Sequence, residues 1–268
     1  MPDIYSVNAS NIVGGPGRLV FKSYDGSYPD SIEDVMAITS PYALTSGWKD
    51  LGATSDGITI SRGFDTEDFS VDQVNGPVDT DITGWSHTLE TNLAENTVEN
   101  RQLALIGGSI IETLPVLGTA TTTSGALATG ATLVNVTSVT GFVAGGYVSI
   151  ANRTYQIASI QGSTLTLTTP LTADLASGAS VRPVTTLGTR RIGYGTMNNI
   201  PFITVGLISQ KKDGTLYMAV FRKCKVSGDD KEQTFGNEKR LLPLNLVAYP
   251  DGNVAESENV YFEIEQLS

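Results

Sequence analysis

The chain of 268 residues has a single cysteine, Cys224, and a single histidine, His87. One cysteine excludes an internal disulfide framework and any zinc site built from several cysteines. A catalytic site with a histidine base would have to use His87, which lies in an alternating strand pattern without a marked nucleophile. We interpret it as a strand-surface or interface histidine. For Cys224, which lies in an apolar strand pattern between two lysines, a packed structural role is favoured over a reactive thiol.

Long apolar runs are also missing. The most hydrophobic stretch, residues 103–117, is interrupted by two glycines, Glu112 and Pro115, and is shorter than the roughly 18–20 apolar residues of a membrane span. The first residues have neither the basic nor the apolar region of a signal peptide. We therefore expect a protein that has no membrane anchor and that is made and used in a cytoplasm.

Motifs for metals, cofactors and phosphates are incomplete. The acidic stretches 65–68 and 79–81 offer hard oxygen ligands, but neither continues into a calcium loop of about 12 residues with a closing glutamate. Residues 193–195 read Gly-Tyr-Gly and lack the further glycine or lysine of a nucleotide site. We expect no metal, no cofactor and no enzymatic activity, and we interpret the acidic stretches as solvated loops.

Positive charge is scarce. The sequence contains 17 Lys and Arg against 28 Asp and Glu, which gives a net charge of −11. Because contacts from Lys and Arg to phosphates supply most nucleic-acid affinity, this balance disfavours tight binding of DNA or RNA. A surface that repels phosphate suits a conduit through which DNA passes without sticking.

Charge is distributed unevenly along the chain. From residue 116 to residue 186 the only charged side chains are Arg153, Asp174 and Arg182, and the stretch is rich in Thr, Ser, Gly, Ala and Val. Residues 164–168 alternate with period two, which is typical of a half-buried strand, and Gln161-Gly162 before them indicates a tight hairpin. We predict a small all-β module at 116–186, inserted into a host domain formed by 1–115 and 187–268. The alternative is one continuous β domain with a region of low charge.

The host halves also favour strands. Lys212-Asp213-Gly214 indicates a hairpin between two long runs, and the second run is apolar on both faces, which predicts a strand buried on both sides. One helix is predicted, with Asn96 as its N-cap, Glu99 three residues later and Gly107-Gly108 as its end. The expected fold class is all-β: a β-sandwich or partial barrel with one flanking α-helix and an N-terminal arm over 1–45. Strands are predicted at 58–62, 78–92, 202–211, 215–226, 239–249 and 260–265.

Motifs in the host halves occur in an order that resembles the major tail tube proteins of long-tailed bacteriophages. Residues 48–57 are similar to that family's W-x-x-L-G-x-T-x-x-G opening, and residues 15–20 are similar to its glycine-led first strand. Residues 69–78 resemble its acidic strand that ends in Pro-Val, and residues 89–100 resemble the L-A-E-x-T-x-E start of its helix. Residues 240–251 are similar to its closing strand. The resemblance covers 1–115 and 187–268, and the order of the motifs carries it.

The resemblance implies a structural virion protein. Subunits of that family form hexameric rings that stack into the tail tube through which DNA passes. The implied partners are identical subunits, the tape measure and the proteins that complete the tube ends, with phage DNA in transit and not tightly bound. The implied location is the virion tail, after assembly in the bacterial cytoplasm. Six copies of a chain with charge −11 carry −66, and a negative bore would keep DNA sliding. Which residues line the bore is left open.

The N-terminal arm and an acidic loop over 64–81 are the predicted contacts between rings, and a plain solvated loop is the alternative for 64–81. The candidate contact residues are Trp48, Leu51, Asp65, Glu67, Asp68, Asp72, Asp79 and Asp81.

The inserted module is expected on the outside of the tube, either in contact with host-surface glycans or as an inert decoration. A second functional hypothesis for the whole chain is a capsid or tail decoration protein, or a glycan-binding surface module.

Overall fold

The computed structural model describes residues 15–228, 232 and 239–267. The chain divides into two compact units: unit 1 comprises Met1–Ser109 and Ile192–Ser268, and unit 2 comprises Ile110–Arg191. In both units the paired strands of the described residues are antiparallel, and unit 1 contains one α-helix. This confirms the all-β fold class. The described ranges contain no helix long and apolar enough to cross a bilayer.

The strands of both units are numbered together in chain order: β1 (Arg18–Ser23), β2 (Lys49–Asp50), β3 (Thr54–Ser70), β4 (Pro77–Leu93), β5 (Ile111–Thr113), β6 (Val116–Leu117), β7 (Thr121–Thr122), β8 (Leu133–Asn135), β9 (Tyr147–Ile150), β10 (Arg153–Gln161), β11 (Thr164–Leu167), β12 (Ser180–Thr186), β13 (Thr189–Arg191), β14 (Ile203–Gln210), β15 (Leu216–Val226), β16 (Leu242–Ala248) and β17 (Tyr261–Glu265).

The sheet of unit 1 is organised around β15. Its strand order is β2-β1-β14-β15-β16-β4-β3, and β17 also pairs with β15. The first half of β15 pairs with β17, through Tyr217 to Phe221, whereas its last three residues pair with β16. The sheet therefore divides beside β15 into two branches. The predicted turn at 212–214 is confirmed, because Gln210 pairs with Leu216 on either side of it.

Two hydrophobic cores lie on opposite faces of β15. Ala219 and Phe221 belong to core A, which β1, β4, β14, β15 and β16 share. Met218 and Val220 point the other way, into core B. This confirms the prediction of a strand buried on both sides. Core B also contains the buried residues Val20, Ile32, Val35, Met36, Trp48, Ile208 and Leu216.

The described part of the predicted N-terminal arm is not an arm. β1 pairs with β14 along its whole length, and Leu19 in core A has no exposed surface. Ile32, Val35 and Met36 cover the face of β15 that carries Met218, because this face would otherwise expose apolar surface to water. The arm prediction is therefore wrong from residue 18 onward, and residues 1–14 lie outside the described residues.

The one helix of the described residues, α1, spans Val98–Ala104. Its N-cap is Thr97, and the predicted cap Asn96 is wrong by one residue. Thr97 has an extended backbone, and its hydroxyl accepts a hydrogen bond from the Asn100 amide at 3.1 Å. The buried Asn100 side chain donates to the carbonyl oxygens of Leu51 and Glu95 at 2.9 and 2.7 Å. These hydrogen bonds fix the helix to residues 48–57, which carry the W-x-x-L-G motif, here called the tryptophan-leucine motif.

Unit 2 is a separate β structure with its own core. Its main sheet has the order β6-β12-β9-β10-β11-β8, and β7 pairs with β12. The predicted hairpin is present as β10 and β11, with Gln161 paired to Thr164 and Gly162 at a positive φ of 56°. The core includes the fully buried residues Val134, Val148, Ile157, Leu165 and Val181.

The unit extends beyond the predicted 116–186 at both ends. The added residues form β5 and β13, which pair with each other from Ile111 to Thr113 and from Thr189 to Arg191. Sequence composition could not place these boundaries, because both strands contain charged residues and resemble the host sequence. Within unit 1, the Gly108 amide donates to the Gly193 carbonyl at 2.8 Å, so the chain leaves and re-enters unit 1 at neighbouring points.

A buried carboxylate joins two distant parts of unit 1. Asp251 is 2% exposed and accepts hydrogen bonds from the hydroxyls of Tyr24 and Tyr28 and from the amide of Asn253. Hydrogen bonds to the charged form, chiefly from Tyr28, lower the pKa of Asp251 to about 2 from its ordinary 3.8. The ionised form is therefore the one that stabilises the fold.

Asp251→Asn is expected to lower the free energy of unfolding by about 1–3 kcal/mol, because an amide cannot accept all of these hydrogen bonds. A folded-state pKa below the unfolded one stabilises the protein above the unfolded pKa, and this contribution is lost as the pH falls towards 2. Denaturant unfolding at several pH values should show the difference from wild type shrinking below about pH 4. Glu256→Gln in the same loop is the control, and an equal loss in both variants would contradict the assignment.

Replacement of Ile110–Arg191 by a short Gly-Ser linker is expected to leave unit 1 folded, because the two cut ends already meet through a backbone hydrogen bond. A changed loop length alters the closure free energy by only about 0.6 kcal/mol per doubling. Circular dichroism and thermal unfolding check this. The isolated 110–191 fragment should also unfold cooperatively, and an unfolded remnant of unit 1 would show that the division is wrong.

Candidate assembly surface

A long β-hairpin made by β3 and β4 extends beyond the rest of the unit 1 sheet. The two strands pair from Thr54 with Leu93 to Ser70 with Pro77. β16 pairs only with the part of β4 from Thr88 to Leu93. Beyond that point β3 is the only strand paired with β4 among the described residues, so residues 62–86, here called the distal ribbon, form a two-stranded extension with open edges.

The distal ribbon exposes large apolar side chains. Phe69 is 61% exposed and Trp85 is 50% exposed. Single exposed apolar residues are common in proteins, but several on the two faces of one narrow ribbon are typical of an interaction surface. The other large apolar residues exposed there are Phe64, Val74, Val78 and Ile82.

One face of the distal ribbon, the aromatic face, carries Arg62, Phe64 and Trp85. Phe64 lies opposite Trp85, with ring centroids 5.1 Å apart, and the Arg62 guanidinium lies 4.3 Å from the Trp85 ring centroid. Cation–π contacts of this kind contribute about 0.5–1 kcal/mol at exposed sites. Near the base of the ribbon, this face continues to His87.

The opposite face, the acidic face, is negative. It carries Asp65, Glu67, Phe69, Asp79 and Asp81, since residues two apart on a strand share a face and the register places Glu67 opposite Asp81. Two carboxylates directly opposite each other destabilise a strand pair. Residues 64–81 contain six acids and no base, and the ion pairs found among the described residues do not involve these acids. The carboxylates of the acidic face therefore form no ion pair among the described residues.

His87 lies at the base of the ribbon in a groove of about 660 Å³. It is 6% exposed, with the ring of Trp85 at 6.2 Å and the ring of Tyr261 at 5.8 Å between centroids. The expected surface position is therefore wrong, because these two rings cover the imidazole. Burial lowers the pKa of His87 below its ordinary 6.5, and the positive charge of Arg62 lowers it further. Glu256, Glu258 and Glu263 also line the groove.

Two of the predicted contact residues belong to the protein interior. Leu51 is 1% exposed in core A, and Trp48 is 9% exposed in core B. In this fold neither side chain is available to a second molecule. The chain crosses from core B to core A between Trp48 and Leu51, so the two side chains pack into different cores. Their role in this fold is packing.

The six predicted acidic residues are all exposed, and five of them lie on strands and not on a loop. Residues 64–70 and 77–81 are strand, and only 71–76 form the turn. For 64–70 and 77–81 the loop prediction is wrong, because the Asp residues, which are poor strand formers, conceal the alternation. Asp65, Glu67, Asp79 and Asp81 share the acidic face, whereas Asp68 lies on the other face, where it accepts a hydrogen bond from the Thr80 hydroxyl at 2.8 Å. Asp72 lies in the turn.

Sequence reasoning missed the apolar members of this surface. Phe64 and Phe69 lie in the predicted contact segment 64–81 but were not among its candidate contact residues, and Trp85 lies outside that segment. Large aromatic residues inside a polar stretch were the available signal, since the hydrophobic effect favours their burial at an interface.

The candidates for chemistry do not form a reactive centre in the described residues. Cys224 is 1% exposed in core A, and burial raises the pKa of its thiol to about 12. This confirms the packed structural role. No group of three or more His, Cys, Asp or Glu side chains in the described part of the chain is placed to hold a metal ion.

Unit 2 offers a shallow groove of about 470 Å³, lined by Arg153, Thr154, Tyr155, Thr169, Pro170 and Thr172. Tyr155 is 7% exposed, and its hydroxyl lies 3.1 Å from that of Thr172. Phe142 is buried and Tyr147 is half-buried. These are the three aromatic residues of the unit, so it presents no fully exposed ring to a ligand.

The groove at the base of the ribbon makes stability depend on pH. Because the folded state lowers the pKa of His87, the unfolded chain binds protons more readily near neutrality, and stability falls as the pH drops through and below 6.5. The midpoint temperature of thermal unfolding of wild type should therefore be lower at about pH 5.5 than at about pH 7.5. The variant His87→Gln should show a smaller difference between the two pH values. An unchanged slope in the variant would show that His87 is not responsible.

Comparison with known proteins adds no relative. No protein-family model matches this chain, and the curated proteins contain no match to it.

Proposed function

We propose that this protein is the subunit of a long-tailed phage tail tube and polymerises as stacked hexameric rings through which DNA passes. The observation that carries the proposal is the distal ribbon, which has open edges, exposed aromatic side chains and an acidic face without cationic partners in the described structure. The ordered motifs of the sequence support the same conclusion.

A ribbon of this kind is not a stable end point for a monomer. A two-stranded hairpin is marginally stable in water, and open strand edges lead to pairing with other chains. Neighbouring copies of the same chain can supply the missing strands and cover Phe64, Phe69 and Trp85. Self-assembly therefore accounts for features that cost stability in an isolated subunit.

Ring formation follows from the position of the open edges. β3 pairs only with β4, and β17 pairs only with β15, among the described residues. An edge of one copy that joins a different edge of the next makes a head-to-tail contact, and such contacts close into a ring when the rotation permits. In a closed ring the unit 1 sheets join into a barrel around a bore, which removes the exposed edges.

The charge of the chain suits the passage of DNA. A net charge of −11 in each subunit repels phosphate at long range, so that a bore built from these subunits does not hold DNA tightly. Unit 2 has only six charged residues, Glu112, Arg153, Asp174, Arg182, Arg190 and Arg191. In the proposed tube unit 2 decorates the outer surface, and the tape measure and the end-completion proteins contact unit 1 in the virion tail.

Electron microscopy of purified protein at rising concentration tests the proposal. Wild type is expected to give hexameric rings and tubes of uniform diameter, and removal of Ile110–Arg191 should leave the tubes intact. Antibody labelling of virions should mark the tail shaft. Folded protein that never forms rings, together with label elsewhere on the virion, would overturn the proposal.

The distal ribbon should be required for assembly and not for folding. Replacing residues 66–83 by Asn-Gly joins Asp65 to its partner Gly84 through a favourable hairpin turn. This variant should unfold with a thermal midpoint close to that of wild type and should form no rings by electron microscopy and sedimentation.

The milder variant Phe69→Ser should weaken assembly with a change of at most about 0.5 kcal/mol in the free energy of unfolding, as is usual for an exposed residue. Val143→Ser in unit 2 is its matched control, since Val143 is 66% exposed and Phe69 is 61% exposed. Equal assembly by the two serine variants would argue against the ribbon as the contact.

A further inference from the structure

A second unusual surface of unit 1 surrounds two lysines of β15. The ammonium groups of Lys223 and Lys225 lie 4.6 and 4.2 Å from the ring centroid of Phe202. Both lysines point away from core A, which receives Cys224 between them. Tyr24 and Tyr249 pack edge-on against Phe202, at 6.1 and 5.7 Å between centroids. These five residues are called the lysine patch.

The lysine patch brings two positive charges together over one ring. The ring attracts each ammonium group, but the two groups repel each other, and a carboxylate beside them relieves this repulsion. Tyr249 is 41% exposed and provides an apolar surface next to the charges. The patch therefore fits a partner that has at least two carboxylates and an aromatic or apolar side chain.

The acidic face of the distal ribbon has this chemistry. Asp65 and Glu67 are two residues apart on β3, as Lys223 and Lys225 are on β15. The Cα atoms of each pair are therefore about 6.6–7 Å apart along the strand. Phe69 follows on the same face and is exposed. The facing strand adds Asp79 and Asp81 to the negative charge.

We propose that the acidic face of the distal ribbon of one copy docks on the lysine patch of the next copy. The proposal rests on the proposed function and names the surface that receives the ribbon. Carboxylates of Asp65 and Glu67 pair with the ammonium groups of Lys223 and Lys225, and Phe69 packs on the exposed ring of Tyr249. The contact removes two like-charge repulsions, one on each copy.

The overall charge of the chain favours a local contact of this kind. Two copies with a net charge of −11 repel each other, and a region of opposite sign offsets that repulsion at contact. On β15 the lysine patch places two cations side by side on one strand face. Arg222, the third cation of that run, is buried and paired with Glu258 at 3.2 Å.

Charge reversal on each surface tests the proposal with the full chain. Variant R carries Asp65→Lys and Glu67→Lys, and variant P carries Lys223→Glu and Lys225→Glu. Each variant alone is expected to raise the concentration needed for ring formation at least about tenfold, because like charges then meet at the contact. Mixing R with P should restore assembly, since the ribbon of each variant then fits the patch of the other.

A matched control keeps the charge change but moves it off the acidic face. Glu33→Lys with Glu256→Lys adds the same charge as variant R at two exposed positions outside the distal ribbon. This control is expected to assemble like wild type. Thermal unfolding of all variants verifies that they are folded.

Cross-linking of wild type tests the contact without substitutions. A zero-length carbodiimide reagent joins carboxylates to amines, so assembled protein should yield a peptide that links Asp65 or Glu67 with Lys223 or Lys225. The same reagent at a concentration below assembly should not yield it. This measurement decides the question if variant P fails to fold.

The outcomes separate the two proposals. If variants R and P each form rings at the wild-type concentration, the docking contact is overturned and the tube function stands. The same holds if assembled wild type gives no cross-link between these residues. Loss in each variant without recovery in the mixture of folded R and P also overturns it. Folded wild type that forms no rings, together with antibody label away from the tail shaft, overturns both.

Discussion

The structure of unit 1 depends on a change of partner along β15. Every strand needs neighbours for its backbone hydrogen bonds, and β15 uses β17 for its first half and β16 for its last residues. β16 pairs with β15 only through its last three residues, Leu246–Ala248, and then ends, so β4 has no further strand neighbour besides β3 beyond Thr88 among the described residues. The distal ribbon is the direct result, because β3 and β4 continue together after the rest of the sheet has ended.

The composition of the ribbon shows what kind of neighbour this extension can accept. A solvated hairpin would alternate polar residues with few large rings, whereas this one exposes Phe64, Phe69 and Trp85. A hairpin evolved for its own stability would also avoid Glu67 directly opposite Asp81. Both features reduce the stability of the isolated ribbon, and both become favourable when apolar and cationic groups of another molecule cover it.

Local signals in the sequence predicted the local structure well. Turn residues identified the hairpins at Gly162 and at 212–214, and apolar residues on both faces identified β15 as a buried strand. Contacts between distant residues were not predictable in this way. The Asn100 side chain donates to the Leu51 carbonyl across 49 residues of sequence. Register shifts leave Thr83 and Val78 as extra residues on β4, and these interrupt the alternation on β4 that would have revealed the ribbon.

The surfaces proposed for assembly all lie in unit 1. Unit 2 has its own core, whereas unit 1 contains both the ribbon and the lysine patch and most of the acidic residues. Surface charges more than about 8–10 Å apart are largely screened at physiological salt. At that salt concentration the long-range repulsion between copies is therefore weak. Carboxylates and ammonium groups in direct contact are screened less and keep much of their attraction. Geometry at contact, and not net charge, then decides which surfaces meet, and an acidic chain can assemble with itself.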